Sequence, residues 1–155
     1  MASSRTHRYQ TTLTWNGNLG TGTSDYRSYG RAHTIAVEGK AAIEGSSDPT
    51  FRGDAARWNP EELLVASLSA CHMLWYLHLA SVARIVVTGY VDCAEGTMDE
   101  SADGGRFTRV TLRPRVTLAA GSDAQRARAL HHDAHAKCFI AQSVNFPVEC
   151  RPEVR

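Results

Sequence analysis

The side chains here with most chemistry to offer are the thiols Cys71, Cys93, Cys138 and Cys150 and the seven histidines. The cysteines follow no tight CxxC spacing. A thiol reacts as its thiolate, so each cysteine is judged by what could ionise it. Cys71 lies roughly twelve residues into an apolar stretch that reads as a helix, too deep for the N-terminal dipole, which fades after the first turn. If Cys71 reacts, a cation must come from elsewhere. Arg27 and Arg31, in a Gly- and Ser-containing stretch, are the candidate sources, and a guanidinium would both stabilise a thiolate and donate to an oxygen-rich substrate. The alternative is an inert cysteine in an apolar helix, a common fate of free cysteine. Cys138 ends a polar helix where a second thiol could approach; the two meet only through the fold, with Cα atoms about 4.4–6.8 Å apart if they form a disulfide. Cys93, alternating with Val87 and Val91, and Cys150, closing the last strand, read as structural.

The histidines open a second line. His131, His135 and Cys138 fall at i, i+4 and i+7 on one helical face, a spacing able to hold a soft divalent metal. No fourth ligand is placed by spacing, and a polar helix carrying histidines is ordinarily a solvated face. His72 and His78, on the apolar helix, read as hydrogen-bonded core histidines.

The element that must position Cys71 is Asn59 to Ala83, NPEELLVASLSACHMLWYLHLASVA. Asn59 is an N-cap, Pro60 suits the first helical position, and Glu62 completes a capping box. Leu64, Leu68, Cys71, Trp75 and Leu79 recur at steps of three or four, and further apolar residues fill much of the circumference, which predicts a helix buried on most sides. Glu61, Glu62, His72, His78 and several serines argue against a membrane span. Small residues at Ala66, Ser67, Ser69 and Ala70 would admit a second helix closely.

With 155 residues the chain reads as one domain, 1–155, with 1–8 a flexible N-terminus. Seventeen basic residues against 16 acidic ones give a net charge of +1, which argues against nucleic acid as a partner. MASSRTHRYQ has no apolar h-region, so a cytoplasmic protein without structural disulfides is expected.

Before the long helix, Tyr9–Trp15 reads as a strand turned by Asn16, Gly17 and Asn18, with Gly20–Asp25 as its return, His33–Val37 as a further strand, and 43–57 as a loop. After it, Ile85–Met98 and Arg106–Leu118 form a long antiparallel hairpin around 99–105, with Val110, Leu112, Val116 and Leu118 inward and Arg109, Thr111, Arg115 and Thr117 on a wet face. Ser122 with Gln125 caps a second helix that ends near Cys138, and Val144–Cys150 is a closing strand. This order is α+β.

NPEELLVASLSACHM (Asn59–Met73), HAKCFIAQSVNFPVE (His135–Glu149) and NGNLGTGTSDYR (Asn16–Arg27) together resemble the OsmC/Ohr family of cysteine-based hydroperoxide reductases, over roughly Tyr9 to Cys150. Where the organic hydroperoxide resistance branch typically has Cys-Pro, this chain has Cys138-Phe139. The resemblance implies an intertwined α+β homodimer, with antiparallel sheets around two central helices and active sites at the subunit interface. It implies Cys71 as peroxidatic cysteine, Cys138 as resolving cysteine, an early-loop arginine (Arg27, then Arg31) and Glu61 of the PEE motif. No bound cofactor is implied, only a hydroperoxide substrate and an external dithiol reductant, commonly of lipoyl type. On one continuous helix Glu61 stands roughly 15 Å from Cys71 and about 80° round, so it would serve the site from the partner chain. A carboxylate beside a thiolate would raise the thiol pKa, so Glu61 would hold the arginine instead. Apolar Leu68, Met73, Trp75 and Phe139 would favour an organic peroxide over hydrogen peroxide. A thiol- or metal-binding module using His131, His135 and Cys138, or a dimer keeping the fold without the chemistry, are the rival readings.

Overall fold

The capping box at the start of the long helix forms in full. Asn59 Oδ1 accepts from Glu62 N at 2.7 Å, and Glu62 Oε2 accepts from Asn59 N at 3.2 Å, so two of the free N–H groups at this helix end are satisfied reciprocally. The helix, α1 (Pro60–Val82), runs unbroken for 23 residues. Its far end closes with Arg84 in the left-handed region (φ 58°). Arg84 N then bonds Ser81 O at 3.1 Å and Ile85 N bonds Ala80 O at 2.9 Å, while buried Ile85 supplies the hydrophobic contact of a Schellman ending.

The structure, a computed structural model, describes residues 5–155. Of the flexible stretch expected over 1–8, residues 1–4 lie outside the described residues, and 5–8 are exposed and irregular. The chain divides into two compact units after Glu62.

In the first unit, β1 (Thr12–Trp15), β2 (His33–Ala36) and β3 (Ile43–Gly45) form an antiparallel sheet in that order. The return strand expected at Gly20–Asp25 does not form; β1 pairs with β2 instead. Local side chains capture the backbone there, as Asn18 Oδ1 accepts from Gly20 N at 2.9 Å and Gly22 N at 3.0 Å, and Asp25 Oδ1 from Arg27 N at 2.8 Å. Such bonds give the chain an alternative to a ladder. The 43–57 region is not all loop: it contributes β3 and a 3₁₀ turn at Pro49–Phe51 capped by Asp48.

In the second unit, β4 (Val87–Asp92) pairs with β7 (Pro114–Leu118), and β5 (Glu95–Ser101) with β6 (Gly104–Leu112), all antiparallel. The expected hairpin is therefore real but split between two sheets. Asp92 Oδ1 takes the Arg113 N–H at 2.7 Å, and Pro114 has no N–H to offer. Asp92 also accepts from Ser69 of α1, which fixes the break against the helix. The second helix, α2 (Ala124–Lys137), is capped by Asp123 and not Ser122, since Asp123 Oδ1 accepts from Arg126 N at 2.9 Å. After it, β8 (Val148–Cys150) adds parallel to β6, and β9 (Glu153–Val154) parallel to β7. The closing strand is thus shorter than expected and begins at Val148.

The expected burial of α1 on most sides is not met within the chain. Within the chain it buries a single stripe, Leu68, His72, Tyr76 and Ala80, while Leu74 is 62% and Val82 69% exposed. Apolar residues on all sides could not tell which side faces inward. Leu68 joins Val110 and Leu112 in one core, and Tyr76 and Ala80 join Val116, Ala127, Leu130 and Ala134 in another. Each sheet of the unit therefore packs on its own half of α1. Thr111, expected on a wet face, is buried. Gly96 permits the close approach of β5: a Cβ there would stand 2.7 Å from Val65 Cγ2 and 2.6 Å from Phe107 Cε1. By length and composition α1 could cross a membrane, yet here it is the element on which both sheets pack.

Leu68→Ala should lower the unfolding free energy by about 2–5 kcal/mol in a urea titration, through lost transfer energy plus a residual cavity. A loss under about 0.5 kcal/mol, the level of surface changes, would contradict this packing.

Candidate active site

Cys71 sits half-buried on α1 and Cys138 is buried at the C-cap of α2. Both are free thiols. The helices bring them together as interacting neighbours. Cys138 Sγ in turn accepts from Ala141 N at 3.4 Å, from the 3₁₀ turn Ala141–Ser143 that follows α2. Burial, with the neighbouring Cys71, pushes the Cys138 thiol up to about 11, because a low-dielectric site disfavours the charged form. Cys138 is thus protonated at neutral pH.

Cys71 lines an open apolar cavity of about 370 Å³ with Leu74, Trp75, His78 and Phe139. The Trp75 and Phe139 rings meet edge to face at 5.4 Å, the Trp75 and His78 rings at 5.8 Å, and Lys137 Nζ lies 5.7 Å from the Trp75 ring centroid. Phe139 is 68% exposed, so the aromatic wall borders solvent. Of the apolar residues expected to shape the site, Trp75 and Phe139 do so, whereas Leu68 belongs to the core and Met73 does not line the cavity. Leu74 and His78 were missed, although 71, 74, 75 and 78 follow the i, i+3, i+4, i+7 pattern of one helix face. His78, expected in the core, is exposed.

The other expected site residues belong to the first unit. Arg27 is exposed, and its guanidinium has no hydrogen bond or ion pair among the described residues. Arg31 is engaged: it donates to the carbonyls of Tyr26 and Tyr29 and its Cζ stacks 4.5 and 4.1 Å from their ring centroids. Glu61 Oε2 is buried and has no hydrogen-bond partner among the described residues.

His131, His135 and Cys138 do not assemble as a metal site. Among the described residues the only group of metal-ligating side chains is His72, His131 and Cys150, because His131 turns toward α1 while Cys138 turns to Cys71. His72 is the buried, hydrogen-bonded histidine expected. Cys150 is half-buried within that cluster. Cys93 is exposed, beside Arg115 Nη2 at 3.8 Å, because the break between β4 and β5 interrupts the face on which it was expected to be buried.

The fold is mixed, and its two helices bring Cys138 beside Cys71, which lines an apolar cavity. The model of the OsmC-like protein family matches residues 53–153, and the chain belongs to that family. An OsmC-like protein of unknown function from Vibrio cholerae is 34% identical, with 96% of this chain and 100% of that one covered and a TM-score of 0.87. Organic hydroperoxide resistance proteins from Elizabethkingia anophelis and Legionella pneumophila share the fold at 19% identity. Their TM-scores are 0.68 and 0.65, with 97% and 96% of this chain and 98% of each of theirs covered. No curated protein matches the sequence.

Alkylation followed by mass spectrometry tests the thiol environment. A raised pKa leaves little thiolate at neutral pH, so Cys138 labelling by iodoacetamide should climb about tenfold per pH unit toward about 11. A plateau near the ordinary cysteine value of about 8.5 would contradict the assignment.

Proposed function

We propose that the chain reduces organic hydroperoxides to alcohols through Cys71 and Cys138. The observation that carries this reading is the neighbouring, interacting thiols of Cys71 and Cys138, with Cys71 lining an apolar cavity. A hydrocarbon substituent gains from contact with Trp75, Leu74 and Phe139 at roughly 25 cal/mol per Å² removed from water. Hydrogen peroxide gains nothing comparable.

The Cys71 thiolate attacks the distal peroxide oxygen. An S–O bond forms, the O–O bond breaks, and the leaving alkoxide takes a proton to become the alcohol, so the sulfur is oxidised to a sulfenic acid as the peroxide is reduced. Cys138 then attacks that sulfur, the disulfide forms and water leaves. An external dithiol, of lipoyl type in this reading, reduces the disulfide by exchange and is itself oxidised to a disulfide.

Arg27 is the arginine proposed to hold the thiolate and the peroxide oxygens, and its uncommitted guanidinium supports it over Arg31, which is held between two tyrosines. The unpartnered Glu61 Oε2 supports a carboxylate that positions that arginine. Since Glu61 and Cys71 share one unbroken helix, roughly 15 Å apart along it, Glu61 is proposed to act from the second copy of a homodimer. Exposed Leu74 and Val82 on α1 support such an assembly.

Peroxide consumption with dihydrolipoamide as reductant should vanish in Cys71→Ser. Cys138→Ser should still consume one peroxide per chain and leave a sulfenic acid that dimedone traps. Arg27→Ala should lower kcat/KM roughly 10- to 100-fold, the worth of a charge-assisted hydrogen bond, and Arg31→Ala much less. Wild-type protein that leaves cumene hydroperoxide unconsumed, or turnover indifferent to Cys71, would overturn the proposal.

A further inference from the structure

His72 of α1 and His131 of α2 meet through a hydrogen bond between His72 Nε2 and His131 Nδ1, 2.9 Å apart. The rings lie within 5° of parallel, with centroids 5.3 Å apart. That separation matches the nitrogen-to-nitrogen distance plus the two ring radii, so the bond lies in the plane of both imidazoles and is close to linear, its strong geometry. The two rings are 1% and 3% exposed. Burial holds His72 and His131 down to about 4 and about 3, so at neutral pH both are uncharged and one nitrogen donates to the lone pair of the other. His131 Nε2 has no partner among the described residues, and Cys150 Sγ, 3.5 and 3.8 Å from the two nitrogens, bonds only weakly. The Nδ1 bond is therefore the link that orients His131. Tyr76, one turn after His72, stacks on the His131 ring with centroids 4.0 Å apart and fixes its plane.

The position of this bond along the helices gives it leverage. Among the described residues it is the one hydrogen bond between α1 and α2. Otherwise the two helices share an apolar core of Tyr76, Ala80, Ala127, Leu130 and Ala134, and apolar packing resists separation but has no direction. His72 directly follows Cys71, whereas His131 stands seven residues before Cys138, about 10 Å along α2. At that distance from the pivot a tilt of about 5° carries Cys138 by about 1 Å. A disulfide needs Cβ atoms about 3.5–4.5 Å apart, so such a tilt spans the whole tolerance.

We propose that His72 and His131 are positioning residues for the disulfide step: their hydrogen bond holds the Cys138 end of α2 at the distance from Cys71 at which the two sulfurs join. The inference rests on the reading of Cys71 and Cys138 as a pair that closes into a disulfide. The imidazoles act through the helices, not on the sulfurs.

The test is a thiol–disulfide equilibrium of the full chain against glutathione, free of peroxide, with the Cys71–Cys138 bond identified by mass mapping. Each bond formed oxidises two protein thiols and reduces one glutathione disulfide to two thiols, so the equilibrium constant gives the effective concentration of one sulfur at the other. His72→Leu with His131→Leu removes the hydrogen bond without leaving half of it unpaired, and should lower that concentration roughly 10- to 100-fold, the scale of a 1 Å misplacement. His72→Gln with His131→Asn sets amide atoms near the places of Nε2 and Nδ1, supplies a donor and an acceptor again, and should restore most of the loss; a role in stability alone would leave the equilibrium unmoved. Should the first pair of substitutions prevent folding, His131→Asn against His131→Gln decides. Glutamine carries its amide to the place of Nε2, so His131→Asn should give the higher effective concentration. An equilibrium unchanged by the two leucines, a loss that the amide pair does not restore, or equal values for His131→Asn and His131→Gln would overturn the proposal even in a chain that consumes peroxide. A wild type that closes this disulfide in a His-dependent way yet leaves peroxide unconsumed would uphold it and overturn the peroxide reading alone.

Discussion

One stripe of α1, Leu68, His72, Tyr76 and Ala80, is the constraint on which the second unit depends. Leu68 anchors the core under β5, β6 and β8, while Tyr76 and Ala80 anchor the one shared by β4, β7, β9 and α2. The sheets are two because the hairpin breaks at Asp92, whose carboxylate is held by Ser69 of the same helix. A helix that meets both cores fixes the position of every group it carries on its other faces.

The same helix separates two kinds of cysteine and histidine chemistry by a single residue. Cys71 faces the apolar cavity and Cys138; His72, about 100° round, faces His131 and Cys150. On the first side a sulfur lines a cavity that borders solvent. On the second, packing buries both imidazoles, which hydrogen-bond to each other. Neighbours in sequence thus acquire different chemistry because a helix sends successive side chains to different environments.

Much of this was legible in the chain. The capping box at Asn59 and Glu62 is a local device whose partners lie three residues apart, and it forms as read. The α+β order was also readable. Other features were not. Asp123 in place of Ser122 at the start of α2, and the turn that replaces a strand at Gly20–Asp25, depend on which of several competent side chains captures a backbone N–H. The division of the long hairpin into two sheets depends on Asp92, which sequence pattern alone does not distinguish from any other strand-end acid.

By itself, the sequence determined what is set by spacing and short-range chemistry: where α1 starts and the order of strands and helices after it; the pairing of Cys71 with Cys138 was what the family resemblance implied. Tertiary structure decided what depends on facing. An α1 apolar on most sides does not say which stripe is inside, and only packing put His72 inward and left Leu74 and His78 on the cavity. The spacing of His131, His135 and Cys138 on α2 allowed a shared face. The fold instead sent His131 to α1 and Cys150, and Cys138 to Cys71, because side chains within a helical turn or two of one another answer to whatever surface packs against each of them.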